Sequence, residues 1–179
     1  MTKQIAVLVG SNSKTSFNQI VAKYLQSIAP ASIQLNLIEI ADLPLYDRDF
    51  DDNSPAQYAR FRQQIKDADG VLLISPEHNG GLSAMLKNAI DIGSRASGQS
   101  LWIGKPAGLV AVTATDGAGV SGQLKAIANA HYINMKVLPE VVNVAGIFSG
   151  VFNEQGEIVS EEVKQKLQNF IKDFVDFVQ

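Results

Sequence analysis

The chain has 179 residues, no cysteine and a formal net charge of -3, with 46% hydrophobic and 18% charged residues. This length and composition suit one compact domain, so we expect a single domain over residues 1–179. The absence of cysteine excludes disulfides and thiolate nucleophiles, and the mild charge gives no basic surface for nucleic acid or a membrane. Residues 1–4 lead directly into a strand pattern, and no apolar run reaches membrane-spanning length, so we expect a cytoplasmic protein.

Five apolar runs, each followed by a helical pattern, indicate a parallel sheet. The runs cover residues 5–9, 33–40, 71–75, 107–113 and 136–145. We expect the last strand to be interrupted or to change direction at Pro139. The helical patterns run to Pro30, to about Gly70, over 83–95, to about His131, and from Val163 to Val175. This alternation predicts a three-layer, flavodoxin-like α/β fold: a five-stranded parallel sheet in the order 2-1-3-4-5 with helices on both faces. We expect a small hairpin or surface turn at 151–158.

The predicted strand order brings three loops to one edge of the sheet. They cover residues 10–18, 75–81 and 113–119 and follow the first, third and fourth strands. Open α/β sheets bind ligands at the carboxyl ends of their strands, at the point where the strand order reverses. In the 75–81 loop, Pro76 stiffens the turn and the glycines let a flat ligand approach the backbone. The alternative is an ordinary strand-to-helix connection.

The first of these loops has the features of a phosphate site. The loop is rich in side-chain hydroxyls and leads into a helix N-terminus, where backbone donors and the helix dipole favour an anion. It is not the loop of nucleoside triphosphatases, because Ser16 and Phe17 stand where that motif has glycine and lysine. We expect a single phosphate monoester there. The alternative is that Ser16 only caps the helix beside spare polar surface.

Residues 117–122 match the dinucleotide pattern Gly-x-Gly-x-x-Gly. We interpret them as a flexible, close-packing loop, because the pattern follows the wrong strand and Glu140, the nearest candidate ribose acid, follows a proline.

The sequence offers no good candidate residues for a metal site or for a catalytic nucleophile. Asp47, Asp49 and Asp51 imitate a calcium loop, but the glycine and the bidentate acid that it requires are missing. His78 and His131 share no ligand-like spacing, and the sequence has no nucleophile elbow. Chemistry at the predicted site would therefore come from a bound cofactor. A site with a phosphate-binding loop but no evident acid, base, nucleophile or metal is typical of flavin binding.

Five motifs together carry a family resemblance. They are Gly10-Ser11-Asn12-Ser13-Lys14-Thr15-Ser16-Phe17-Asn18, Leu43-Pro44-Leu45-Tyr46-Asp47, Pro76-Glu77-His78-Asn79, Leu86-Lys87-Asn88-Ala89-Ile90-Asp91 and Gly104-Lys105-Pro106. In this combination and order the chain resembles, nearly end to end, the NAD(P)H-dependent FMN reductases of flavodoxin-like fold, a group that includes quinone, chromate and azo-dye reductases.

The resemblance implies an FMN-dependent oxidoreductase with NADPH or NADH as co-substrate. A hydride would pass from the nicotinamide through FMN to a small acceptor: a quinone, an azo compound, a metal oxyanion or free flavin. It implies no catalytic side chain and no metal, and the residues it places around FMN are Ser11, Ser13, Ser16, Phe17, Asn18, Pro76, Glu77, His78, Asn79, Gly80, Thr113, Thr115, Asp116 and Gly117. It also implies a homodimer or homotetramer, with the helices after Ser83 and before His131 as interface candidates.

Two departures from the family pattern keep alternatives open. Ser13 stands at the family's phosphate-loop arginine, with Lys14 next to it, and a hydroxyl does not reproduce arginine's bidentate fork. His78 stands at the family's tyrosine, where it packs against the flavin or nicotinamide and adds pH dependence, or only fills the loop. The alternatives are an FMN electron carrier that docks on protein partners and a flavin-poor binding or regulatory relative.

Overall fold

The computed structural model describes residues 1–96 and 98–179. Five strands form a parallel sheet in the order β2-β1-β3-β4-β5, which confirms the predicted order. The strands are β1 (Lys3–Val9), β2 (Ile33–Ile38), β3 (Gly70–Pro76), β4 (Pro106–Val112) and β5 (Lys136–Val144). The helices are α1 (Phe17–Ile28), α2 (Ala56–Asp67), α3 (Ala84–Ser94), α4 (Ala118–Ala128) and α5 (Glu161–Val178).

The sheet is buried on both faces, and each face has its own core. Helices α1 and α5 cover one face, which β1 supplies with Ile5, Val7 and Val9. Helices α2, α3 and α4 cover the other, which β1 supplies with Ala6 and Leu8. Alternate residues of a strand point to opposite faces, so a strand covered on both sides needs apolar residues at every position. This is why the central strands appear in the sequence as unbroken apolar runs.

Some element ends differ from the predicted ones. Helix α4 ends at Ala128, not near His131, because the chain turns tightly there: the Met135 N–H donates to the Ala128 carbonyl at 2.8 Å, and Asn134 has a φ of 42°. Strand β3 includes Pro76, which pairs with Val112 at the end of the ladder.

Two other predicted irregularities are confirmed. The register between β4 and β5 shifts between Ala107 and Leu109, opposite the segment that contains Pro139. Phe152 and Ile158 form an antiparallel bridge, and the Asn153 N–H donates to the Glu157 carbonyl at 3.0 Å, so residues 151–158 form a small hairpin. Among the helices that the structure describes, none combines the length and apolar character needed to span a membrane.

Candidate functional site

The three predicted loops meet at one edge of the sheet. Strands β1, β3 and β4 are consecutive neighbours, with Val9 opposite Ile74 and Pro76 opposite Val112. Their carboxyl ends therefore release residues 10–18, 77–83 and 113–117 side by side. The sequence-based expectation of a shared loop edge is confirmed, and it follows from strand order alone.

The first loop is organised around the start of α1. The Ser16 hydroxyl accepts a hydrogen bond from the Gln19 N–H at 3.2 Å and caps the helix, as the capping alternative anticipated. The Ser16 N–H donates to the Ser13 carbonyl at 3.2 Å, and the Gln19 side-chain amide donates to the Ser11 carbonyl at 3.4 Å. Ser13, Lys14 and Thr15 remain exposed at the rim. The Ser13 hydroxyl also accepts from the Thr15 N–H at 3.4 Å, so the loop is ordered by its own hydrogen bonds.

Asn18 is the residue in this loop that points most directly to a ligand. Its side chain lies in the first turn of α1 and is only 5% exposed, and its Oδ1 has no hydrogen-bond partner within the part of the chain that the structure describes. Leaving such a group unpaired costs about 1–3 kcal/mol. An amide can accept from a hydroxyl or donate to an anion, so Asn18 suits a ligand that carries both kinds of group.

The ring of Phe17 faces an aromatic cluster. It packs against Phe152 with ring centroids 4.6 Å apart and against Phe148 at 5.8 Å, which fastens the start of α1 to the segment leading into the small hairpin. The ring therefore has a packing role, and what Phe17 offers a ligand is its backbone at the positive end of the helix.

Two cavities flank the first loop. One of about 430 Å³ lies between the loop and the end of β2, and its lining includes Ser11, Ser13, Glu39 and Met85. The other, of about 670 Å³, lies between the loop and the 151–158 hairpin, and its lining includes Lys14. Glu39 and Met85 carry no sequence signal that marks them as site residues, since only the folded chain brings them beside the loop.

The second loop is a tight hairpin, residues 77–81. The His78 N–H donates to the Gly81 carbonyl at 2.8 Å, and the Gly81 N–H donates back to the His78 carbonyl at 3.0 Å. Between them, Asn79 and Gly80 both have left-handed backbones, with φ of 51° and 76°. Asparagine and glycine are the residues that adopt this geometry most readily, which is why the sequence turns here. His78, Asn79 and Gly80 are exposed at the sheet edge.

The base of the hairpin is fixed by two buried serines. The Ser75 hydroxyl donates to the Pro76 carbonyl at 2.8 Å and accepts from the Ser83 N–H at 3.2 Å. Ser83 caps α3 by accepting from the Leu86 N–H at 3.3 Å. These contacts set where the hairpin leaves the sheet and where α3 begins. Sequence reasoning placed Ser75 in the loop and Ser83 at the start of the following helix, but gave neither a role.

The Glu77 side chain turns towards α4. Its Oε2 accepts from the Val120 backbone N–H at 3.1 Å, and its Oε1 accepts from the Thr115 hydroxyl at 3.4 Å. The carboxylate therefore lies at the N-terminus of α4, where the helix dipole favours negative charge. Each of the two carboxylate oxygens of Glu77 therefore has a donor from the protein.

The third loop uses its polar side chains to hold its own turn. Thr113 is 2% exposed, and its hydroxyl donates to the Thr115 carbonyl at 2.8 Å. Asp116 accepts from the Ala118 N–H at 3.1 Å, and Gly117 starts α4 with a φ of 69°. The prediction of a flexible loop over 117–122 is wrong, because residues 118–122 form the start of α4, although Gly119 does pack closely against Gly80.

A fourth segment, the Leu43-Pro44-Leu45-Tyr46-Asp47 loop, is held by two residues that sequence reasoning did not assign. Asn88 on α3 accepts from the Tyr46 N–H at 2.7 Å and donates to the Pro44 carbonyl at 3.0 Å. The Tyr58 hydroxyl on α2 donates to the Leu45 carbonyl at 2.8 Å. Burial raises the pKa of Tyr58 above its usual value, so this hydroxyl stays protonated and able to donate. Leu45 itself is 79% exposed.

The acidic run near this segment has local partners. Asp47 accepts from the Asp49 N–H at 3.0 Å and caps a short 3-10 turn, and Asp51 accepts from the Tyr46 hydroxyl at 3.0 Å. Burial and this carboxylate raise the pKa of Tyr46. Among residues 1–96 and 98–179, no group of three or more His, Cys, Asp or Glu side chains is placed to hold a metal ion.

The fold and the loop edge define the class of protein: a flavodoxin-like α/β protein whose three loops meet at the strand switch point, where folds of this topology bind their ligands. The family described as NADPH-dependent FMN reductase matches residues 4–149. The chain belongs to this family, which makes it an oxidoreductase with FMN as cofactor and NAD(P)H as co-substrate.

Relatives match over nearly the whole chain. A quinone reductase of Pseudomonas putida is 36% identical over 98% of this chain and 94% of its own. A 2-hydroxy-1,4-benzoquinone reductase of a Burkholderia species is 35% identical over 100% of this chain and 98% of its own. The solved structure of FerB, a flavoenzyme NAD(P)H:(acceptor) oxidoreductase from Paracoccus denitrificans, superposes with a TM-score of 0.85 at 31% identity, covering 99% of this chain and 97% of its own.

The residues at the loop edge fit FMN. Its ribityl chain carries hydroxyls, and a hydroxyl is a donor that the unpaired, buried Oδ1 of Asn18 can accept from. The N-terminus of α1 supplies backbone donors beside it.

Proposed function

We propose that this enzyme is a quinone reductase, which passes a hydride from NADPH or NADH through bound FMN to a quinone. Two relatives that match nearly end to end are named for quinone reduction, and this supports a quinone over an azo compound, a metal oxyanion or free flavin. When bound, FMN supplies the hydride chemistry, and the protein supplies binding, orientation and electrostatics.

The observation that carries this proposal is the unpaired, buried Oδ1 of Asn18 on a loop beside two other ligand-type loops. We place the FMN phosphate and ribityl chain at the first loop, where Asn18 and the backbone at Ser16 and Phe17 bind them. Ser11 and Ser13 add hydroxyls at the rim. No arginine is present in this loop, so the phosphate is held by neutral donors, the helix dipole and Lys14.

The other two loops then hold the flavin ring. Backbone groups of residues 76–80 lie along its polar edge, and residues 113–117 close the opposite side. Donors placed where negative charge develops stabilise the charge of the reaction, and backbone N–H groups fixed in a hairpin are already oriented for this. His78 is exposed beside this edge and is placed to pack against the ring or the nicotinamide.

The domain organisation and assembly complete the proposal. Residues 1–179 form one domain, supported by the single sheet with a core on each face. The enzyme works as a homodimer or homotetramer in the cytoplasm, where NAD(P)H is available, and it binds no nucleic acid, in line with its net charge of -3. Helices α3 and α4 and the exposed Leu45 are the interface candidates.

A steady-state assay tests the proposal. The purified protein is mixed with NADPH or NADH and a benzoquinone, with and without added FMN, and nicotinamide oxidation is followed. We expect FMN-dependent oxidation that is faster with the quinone than with an azo dye, chromate or free flavin. Turnover with another acceptor but not with a quinone would overturn the choice of acceptor. Failure to bind FMN would instead favour a flavin-poor binding protein, and bound FMN without turnover would favour an electron carrier.

A further inference from the structure

The hairpin at residues 77–81 is a stiff unit that is exposed along most of its length. Two mutual hydrogen bonds between His78 and Gly81 close it, and consecutive left-handed residues shape its tip. At its base, Ser75 lies in β3 and Ser83 caps α3, and together they fix where the hairpin leaves the sheet. The orientation of its tip depends also on contacts made further out.

Those further contacts are made with the first turns of α4. Gly119 lies so close that a Cβ built on it would come within 2.5 Å of the Gly80 carbonyl oxygen. A Cβ on Gly81 would come within 2.7 Å of the Gln123 side chain. Packing alone brings the two elements together but allows sliding, because glycine surfaces offer few interlocking groups.

The directional contact between them is made by Glu77. Its carboxylate accepts from the Val120 N–H at 3.1 Å, and Val120 lies in the first turn of α4. This is a charge-assisted hydrogen bond at the positive end of a helix dipole, the strongest type of contact available between these elements. The other capping carboxylate of α4, Asp116, belongs to the helix's own loop and accepts from Ala118, so it does not reach the hairpin.

We propose that Glu77 is a positioning residue, whose carboxylate clamps the 77–81 hairpin onto the N-terminus of α4 and so orients the hairpin for the flavin. The orienting role rests on the proposed placement of FMN, whereas the clamp itself does not. Each carboxylate oxygen has one donor from the protein and can accept a second, so a direct contact between Glu77 and the flavin is a separate role that the experiment has to distinguish. If it only capped α4, its loss would affect the helix without reorienting the hairpin.

Two variants and one control separate these roles. Glu77→Ala removes the acceptor, while Glu77→Gln keeps one neutral acceptor oxygen of the same reach. The control is Asp69→Ala, because Asp69 also accepts a backbone bond, from the Gln4 N–H at 2.7 Å, but at the opposite edge of the sheet. The readouts are the FMN dissociation constant from flavin fluorescence and backbone amide exchange in FMN-free protein at His78, Gly81 and Val120, whose N–H groups all donate hydrogen bonds.

We expect Glu77→Ala to speed exchange at all three amides and to raise the FMN dissociation constant about tenfold, the equivalent of one lost charge-assisted hydrogen bond. Glu77→Gln should fall between wild type and Glu77→Ala in both measurements. Asp69→Ala should lower thermal stability without changing either measurement at the hairpin.

Two results would overturn the clamp, and a third would remove its orienting role. Unchanged exchange at His78 and Gly81 with unchanged FMN affinity in Glu77→Ala would leave only a helix cap, whereas unchanged exchange with weakened FMN affinity would assign Glu77 to the flavin directly. Faster exchange with unchanged FMN affinity would remove the orienting role. If instead the wild-type protein failed to bind FMN, the proposed function would fail, while the exchange data would still test the clamp.

Discussion

The side chain of Asn88 on α3 accepts a hydrogen bond from the Tyr46 backbone N–H at 2.7 Å, which joins two sequence motifs 42 residues apart. The same amide donates to the Pro44 carbonyl at 3.0 Å. An irregular loop has few partners for its backbone groups, and here one side chain satisfies a donor and an acceptor together. The two motifs therefore occur together for a structural reason: one of them holds the other in place.

We expect Asn88→Ala to lower the free energy of unfolding by about 1–3 kcal/mol, because it leaves partly buried backbone groups without partners. Urea denaturation measures this. Asn129→Ala is the matched control, since Asn129 is exposed and donates only to the Lys125 carbonyl of its own helix. That substitution should stay within about 0.5 kcal/mol of wild type. Equal effects of the two substitutions would mean that Asn88 does not hold the loop.

Two glycines of α4 give opposite predictions for the same substitution. A Cβ at Gly119 would lie 2.5 Å from the Gly80 carbonyl oxygen, whereas a Cβ at Gly122 would meet nothing within 4 Å. Gly119→Ala should destabilise the protein by about 1–3 kcal/mol through overpacking. Gly122→Ala should stabilise it by up to about 1 kcal/mol, as expected for glycine replaced in a helix. Thermal unfolding of the pair measures the difference, and a Gly119→Ala variant as stable as Gly122→Ala would show that hairpin and helix are not in close contact.

Ser13→Arg should tighten FMN binding if the phosphate lies at the first loop. Ser13 is exposed, so an arginine fits there, and its fork would add charge-assisted hydrogen bonds that lower the dissociation constant by about tenfold. Ser32→Arg is the control, because it adds the same charge at an exposed position near the start of β2. Fluorescence titration with FMN compares them. Unchanged or weaker binding by Ser13→Arg, or equal tightening by both, would argue against this phosphate position.

Asp69→Asn should change how stability depends on pH. The pKa of Asp69 lies below its usual value because the carboxylate accepts from the Gln4 N–H and, less strongly, pairs with Lys3. Its contribution is therefore complete above the unfolded pKa of about 3.9 and is lost as the pH falls through the lower folded pKa. Urea midpoints should show the variant less stable than wild type at neutral pH and the two converging in acid. A constant difference across that range would contradict this.

Much of the fold was predictable from the sequence because local pattern and global topology agree. Strands buried on both faces leave unbroken apolar runs, and strand order then brings the three loops to one edge. The end of α4 was not predictable, since the turn after Ala128 uses Asn134 in a left-handed conformation with no glycine or proline to mark it.

The contacts that the side chains at the loop edge make within the protein could not be predicted from the sequence either. Glu77 and Val120 lie 43 residues apart, and their contact depends on how closely the hairpin packs on α4. The ring of Phe17 turns to Phe152, although the motif alone places Phe17 beside the cofactor. Sequence motifs identify which residues gather at a site. Only their contacts distinguish those free to bind a ligand, such as the Asn18 amide, from those already engaged within the protein.

The proposed function requires that this chain hold FMN that NAD(P)H reduces and a quinone reoxidises. The most direct test is an anaerobic titration in which the visible absorption of the FMN-loaded protein is followed on adding NADPH or NADH, and then a benzoquinone. We expect the flavin band to bleach with at least one of the nicotinamides and to return when the quinone is added. Bound FMN whose absorption stays unchanged with both nicotinamides would contradict it.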